Sequence, residues 1–306
     1  MAETSIAYVF PGQGSQWVGM GHDLYQQFDS ARVVFQEADR ILGFPLSRLC
    51  FEGPEDELKK TINVQPAIVT VSYACLQAAV EKGLPRPAFV AGHSLGEYTA
   101  LAAAAVLDFT TTVHLARERG RLMHEAGLKQ PGGMAAIMGV DEASLGEICN
   151  QTGTRIANIN SPGQIVISGA REDLAQALDV LKSRGARVIP LQVSGAFHSQ
   201  VMQPAADGLA QAVASLTFRP ARIPIIANTT AQPVTSAATI KEELLRQVCN
   251  CVRWQDSVQY MISNGVTRFI EIGPGKVLTG LIKRISKDVT TVNISDAEAV
   301  KTSTGA

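Results

Sequence analysis

The sequence predicts a mixed α/β fold, a parallel sheet covered by helices and interrupted by a small unit of β-α-β-β-α-β order. Three observations carry that expectation. Short apolar runs alternate with helical periodicity towards both ends of the chain, and the motif Gly92-His93-Ser94-Leu95-Gly96 lies where one such run meets a helical pattern. The middle of the chain reads instead as four short strands around two helices.

Residues 6–10 (IAYVF) read as the first strand and lead into the loop PGQGSQ at 11–16. Helical patterns follow over 21–42 and 65–82, where Ala67, Val71, Ala74, Leu76, Ala78 and Ala79 supply a buried face. The run 88–91 (AFVA) is a second strand, 97–107 the helix after the motif, and 109–126 a long helix. Then 132–139 reads as a strand and 141–152 as a helix that Asp141 can cap. Strands at 155–160 and 164–168 are joined by Ser-Pro-Gly turn chemistry, followed by an amphipathic helix over 171–184 and a strand over 186–193. This is the ferredoxin-like order, and about seventy residues suffice for a small domain. The α/β pattern resumes with a strand at 223–228, helices near 240–249 and 255–264, and a strand at 267–272. The expected division is a discontinuous core over 1–130 and 198–295, an insert over 131–197, and a polar tail over 296–306 expected to be disordered.

Apolar residues make up 46% of the 306 and charged residues 18%, which suits one large domain or a large domain with an insert. A net charge of -1 argues against a general nucleic-acid binder. The five cysteines are scattered, and Cys249-x-Cys251 lacks a second metal-spaced pair, so no metal site is expected. The start MAETSIAYVF lacks the charged and apolar regions of a signal peptide, and no apolar run approaches the roughly 20 residues of a membrane span. A cytoplasmic protein with reduced thiols and no membrane partner is expected.

A serine in G-x-S-x-G between strand and helix has the layout of a nucleophile elbow, which marks Ser94 as a nucleophile for acyl chemistry. Its base must come from His22, His93, His114, His124 or His198. His93 adjoins the serine and should point away from it, whereas His114 and His124 sit on the long helix among arginines. His198, in the junction Ser-Gly-Ala-Phe-His-Ser after the insert, is best placed to face a cleft. No carboxylate stands out between Ser94 and His198, so a carbonyl oxygen, backbone or amide, is expected to hold the imidazole instead. Gly12, Gly14 and Gly19 miss the dinucleotide-binding spacing, leaving PGQGSQ as a tight turn or as a second oxyanion donor beside the elbow. Arg117, Arg119 and Arg121 share one helix, and periodicity does not decide which of them points inward.

Together VFPGQGSQ (9–16), GHSLGEY (92–98), Arg119-Gly120, GAFHS (195–199), Val-Arg-Trp (252–254) and EIGPGKVLTG (271–280) resemble the malonyl-CoA:acyl carrier protein transacylases. More broadly they resemble the acyltransferase domains of fatty-acid and polyketide synthases, in order over residues 4–295. The resemblance implies an α/β-hydrolase-like core with a ferredoxin-like insert. It implies Ser94 as nucleophile, His198 as base, a Gln247 carbonyl orienting that base, and the amides of Gln13 and Leu95 as the oxyanion hole. Arg119 would take the malonyl carboxylate and Phe197 would crowd a 2-methyl branch. The implied partners are malonyl-CoA and holo acyl carrier protein, with no resident cofactor, since CoA and phosphopantetheine enter with the substrates; a monomer is implied too. Acidic carriers call for a basic rim, with Arg184, Arg187, Lys283, Arg284 and Lys287 as candidates against ordinary surface charge. A serine hydrolase would share elbow and base; Arg119 and the missing carboxylate separate the two readings.

Overall fold

The computed structural model describes residues 5–303. From the N-terminus the chain forms β1 (Ser5–Phe10), α1 (His22–Gln27), α2 (Asp29–Leu42), α3 (Leu46–Glu52), α4 (Glu55–Lys59) and α5 (Thr61–Glu81). It continues with β2 (Phe89–Gly92), α6 (Gly96–Ala103) and α7 (Phe109–Lys129). The middle segment holds β3 (Gly132–Met138), α8 (Glu142–Thr152), β4 (Arg155–Ser161), β5 (Gln164–Ala170), α9 (Arg171–Ser183) and β6 (Arg187–Pro190). After a 3-10 turn at Gln200–Met202 come α10 (Gln203–Ala214), β7 (Ile225–Ile226), β8 (Pro233–Val234), α11 (Ala237–Gln247) and α12 (Trp254–Ser263). The chain closes with β9 (Val266–Ile272), α13 (Val277–Ile285), β10 (Thr290–Ile294) and α14 (Ala297–Ser303).

Six strands form one sheet in the order β10-β9-β1-β2-β7-β8, parallel except for the β7–β8 pair. Its centre is β1, whose Ile6–Phe10 side chains are all buried, as a strand covered by helices on both faces requires. Because β1 and β2 pair with Phe10 opposite Gly92, the PGQGSQ loop and the serine turn leave the sheet side by side at its carboxyl edge. That edge is where open α/β sheets carry their ligands.

The second sheet is antiparallel, in the order β4-β5-β3-β6, with α8 and α9 packed together over a core that includes Ile137, Leu145, Ile148, Ile167 and Leu181. Asp141 caps α8 by accepting the Ser144 N–H. A backbone rung joins this sheet to the larger layer: Ile159 N–H donates to Val252 O and Val252 N–H to Ala157 O.

Two sequence expectations need correction. The helix after the serine ends at Ala103 rather than at residue 107. Val106 N–H bonds Leu101 O and Ala105 N–H bonds Ala102 O, with Ala105 left-handed at φ 59, which is the Schellman closure. An alanine fills the position that glycine normally announces, so composition gave no stop signal. The polar tail is also ordered as far as Ser303. Ala297 and Val300 are buried, and the first turn of α14 is held by Asp296 and by Asp23 of α1. A seven-residue segment with two buried side chains has no periodicity to read, and its contacts with α1, α5 and β10 reveal it. Residues 304–306 of that expected tail lie outside the described residues.

Candidate active site

Ser94 occupies the turn between β2 and α6 with φ 50, a left-handed conformation that a non-glycine residue adopts at an energetic cost. The flanking glycines explain why the turn can be so tight. A Cβ on Gly92 would lie 1.9 Å from the Gly96 carbonyl carbon, and one on Gly96 would lie 2.0 Å from Phe10 O. Strand, turn and helix therefore pack backbone to backbone. The Ser94 N–H is held by Asn228 Oδ1 at 2.7 Å, which ties the strained turn to the end of β7.

His198 follows β6, also with positive φ (60), and is 3% exposed. Its Nε2 lies 2.8 Å from Ser94 Oγ and its Nδ1 lies 2.8 Å from the backbone O of Gln247. A carbonyl only accepts, so Nδ1 carries the proton and Nε2 is free to take the one on Ser94. Gln247 is the last residue of α11, where the final carbonyls of a helix have no intrahelical donor. That free carbonyl does the orienting work usually given to a carboxylate. Burial first, and then the neighbouring Arg119 charge, pull the His198 imidazole down to about 3, so the base is neutral at physiological pH. Protonation is the inactivating step, so a lowered value moves the acid limb of activity to lower pH. A reaction that needs neutral His198 is therefore expected to keep a flat rate from about pH 8 to 5. A fall centred on the ordinary histidine value of 6.5 would contradict the buried, neutral base.

Of the three arginines on α7, packing turns only Arg119 inward. Arg117 donates to Ile62 O and Asn63 Oδ1, and Arg121 pairs with Glu118 and Glu125 at the surface. Arg119 is 2% exposed. Its Nη1 donates to Gln65 Oε1 (2.9 Å), and its Nη2 to Gln247 Oε1 (2.8 Å) and Ser94 Oγ (3.2 Å). Its Nε is buried and has no acceptor among the described residues, and Nη2 is the donor that reaches the serine. An anionic group carried next to an acyl carbon would pair with this guanidinium.

These groups open onto a cleft of about 210 Å³ lined by Gln13, Leu95, Met123, Met134, Val193 and Phe197 among others. The amides of Gly96, Glu97 and Tyr98 are spent on His93 O, Ser94 O and Leu95 O. Those of Gln13 and Leu95 donate to no protein acceptor among the described residues. Phe197 is 5% exposed and presents its ring beside the base. His93 turns away from Ser94, as expected, and bonds Asn160 Oδ1 (2.8 Å).

The five basic candidates are all exposed and none lines the cleft. Lys283 and Arg284 end α13, whose first turns, through Val277, Leu278 and Leu281, form part of the cleft wall. Arg284 donates to Gln164 Oε1 across the gap between the two sheets (2.6 Å). Arg184 and Arg187 lie on the small layer, and the structure does not bring them to the cleft lining.

Sequence reasoning assigned no role to Gln65, Glu97 and Asn228. Glu97 lies inside the GHSLGEY motif, where its spacing from Ser94 on a helix was the available signal. Gln65 and Asn228 are far from the serine in sequence and carry no pattern that could have found them.

The acyl transferase domain family matches residues 7–303. The malonyl CoA-acyl carrier protein transacylase of Bacillus subtilis (strain 168) is 45% identical over 304 residues, 97% of this chain and 96% of the relative. An acyl-carrier-protein-S-malonyltransferase from Bartonella henselae superposes with a TM-score of 0.94 at 42% identity, covering 98% of each chain. A malonyl-transacylase solved in complex with its type II polyketide synthase acyl-carrier protein gives a TM-score of 0.94 at 41% identity, again over 98% of each chain.

Proposed function

The chain belongs to the acyl transferase domain family, and on that premise we propose how its residues carry the malonyl group from malonyl-CoA to the phosphopantetheine thiol of acyl carrier protein. His198 Nε2 takes the Ser94 proton and Oγ attacks the thioester carbon. The amides of Gln13 and Leu95 receive the oxyanion. On collapse the C–S bond breaks, His198 returns the proton to the CoA sulfur, and a malonyl-Ser94 ester remains. The carrier thiol then gives its proton to His198 and attacks the ester, and the alkoxide leaving as Ser94 recovers that proton. The negative end of α11, through Gln247 O, stabilises the imidazolium formed in each half-reaction.

The observation that carries this reading is the buried Arg119 with an unsatisfied Nε and with Nη2 at 3.2 Å from Ser94 Oγ. A carboxylate two bonds from the acyl carbon pairs with this guanidinium, whereas an acetyl group leaves the buried cation without an anion, costing about 1–3 kcal/mol. Phe197 fills the space a 2-methyl branch would need. The carrier approaches along the basic rim of Lys283, Arg284 and Lys287, with Arg184 and Arg187 on the insert as further contacts. No helix among the described residues is long and apolar enough to cross a membrane. The protein works as a cytoplasmic monomer, with no resident cofactor or metal. Residues 1–130 with 198–295 act as the catalytic unit and 131–197 as the insert closing its cleft.

Incubation with malonyl-, methylmalonyl- or acetyl-CoA, with and without holo carrier protein and read by intact mass, tests the scheme. Expected are a malonyl adduct on the enzyme and its loss to the carrier, with little methylmalonyl adduct until Phe197→Ser. Loss of the adduct to water at the same rate without carrier would instead make the protein a hydrolase.

A further inference from the structure

Glu97 is 1% exposed, lies in the first turn of α6, and is not itself part of the cleft lining. Its surroundings are fixed by a chain of hydrogen-bond polarities. The Arg119 guanidinium is donor-only, so the Gln247 amide must turn Oε1 towards it. The Gln247 NH2 then faces Ser94 O (2.8 Å) and Glu97 Oε2 (2.7 Å). On the other side the Ser94 N–H fixes Asn228 Oδ1, so the Asn228 NH2 faces Gly92 O (2.7 Å) and Glu97 Oε1 (3.1 Å). The Asn228 backbone N–H also reaches Oε1 (3.0 Å). Glu97 thus meets three donors, none free to reverse, and no acceptor.

Resting on the reading of Arg119 as the malonyl clamp, we propose that Glu97 is a positioning residue: an ionised carboxylate that locks the Gln247 and Asn228 amides, and through them the Arg119 fork and the strained Ser94 turn. A proton on the one remaining Oε2 site would find no acceptor, so the charged form suits these partners better. Burial first, and then the Glu243 carboxylate on α11, raise the Glu97 carboxyl well above the ordinary carboxylate range against the donors on Asn228 and Gln247 and the Arg119 charge on α7. Three converging donors and no acceptor are the geometric argument for the charged form. Separation by one amide also lets Glu97 balance the buried guanidinium without occupying the edge that a substrate carboxylate needs.

Three variants are compared with wild type: Glu97→Gln, Glu97→Asp and Arg119→Ala. Glu97→Gln places an NH2 among donors and forces the Gln247 amide to turn, so the malonyl-over-acetyl ratio of acylation kcat/KM is expected to fall about tenfold to a hundredfold. Glu97→Asp keeps the charge and is expected to hold the ratio closer to wild type. The infrared difference between wild type and Glu97→Gln is expected to show loss of a carboxylate stretch. Loss of a protonated-carboxyl stretch instead overturns the proposal, as does an unchanged ratio in Glu97→Gln when Arg119→Ala has lost it. An unchanged ratio in Arg119→Ala overturns the clamp itself, and the Arg119 arm of the Glu97 lock with it. Should Glu97→Gln fail to fold, the wild-type spectrum is compared with that of Glu97→Asp, where exchange of one carboxylate stretch for another supports the charged form and any change in the protonated-carboxyl region overturns it.

Discussion

Ser94→Ala is expected to leave a folded protein that forms no malonyl adduct and transfers malonyl groups more slowly by on the order of 10⁴-fold or more. The loss is this large because the hydroxyl is the atom on which every other group converges. It donates to His198 Nε2 at 2.8 Å and accepts from Arg119 Nη2 at 3.2 Å. Without it the cleft still holds Gln13, Leu95 and Arg119, so substrate binding persists while the covalent step disappears. Intact mass after incubation with malonyl-CoA checks the first half, and a thermal melt checks the second. The melt should not fall, since alanine removes one hydroxyl and the left-handed turn remains held by Asn228. An adduct of undiminished mass on the alanine variant would place the nucleophile elsewhere.

Arg119→Ala is expected to lower the acylation kcat/KM with malonyl-CoA by about 10²–10³-fold while acetyl-CoA loses far less. The asymmetry follows from where the guanidinium stands. Only an acyl group bearing an anion pairs with the buried guanidinium, and a neutral acetyl group gains nothing from it. The variant also leaves Gln65 Oε1 and Gln247 Oε1 without their donor, so its kinetics belong beside a melting curve. Arg119→Lys separates charge from shape: a single ammonium restores attraction without the planar fork and should recover only part of the preference. An acyl preference equal to wild type in Arg119→Ala would remove the clamp from the mechanism.

Much of the frame was legible because it is encoded locally. The apolar run at β1, the glycines around Ser94 and the Ser-Pro-Gly turn each state a backbone geometry within a few residues. What stayed hidden depends on residues distant in sequence. The end of α6 carries alanine where glycine would have been a signal, and α14 becomes visible only through the contacts of Asp23 with its first turn. Glu97 was in plain view in the motif, but its three donors come from α11 and the end of β7, on the far side of the insert.

By itself the sequence determined the glycine-flanked serine turn, the two-sheet organisation and the histidine that meets the serine, because glycine spacing, strand alternation and turn chemistry act over short range. The tertiary structure turned towards the serine the arginine that the resemblance implied and periodicity left open, and it alone decided that the backbone oxygen of Gln247, not its side chain, holds His198. It also decided that the Gln247 side chain joins Arg119 to Glu97. The physical reason is that a buried polar group takes its direction from whichever donors and acceptors the packed helices bring within about 3 Å, and those partners come from opposite ends of the chain.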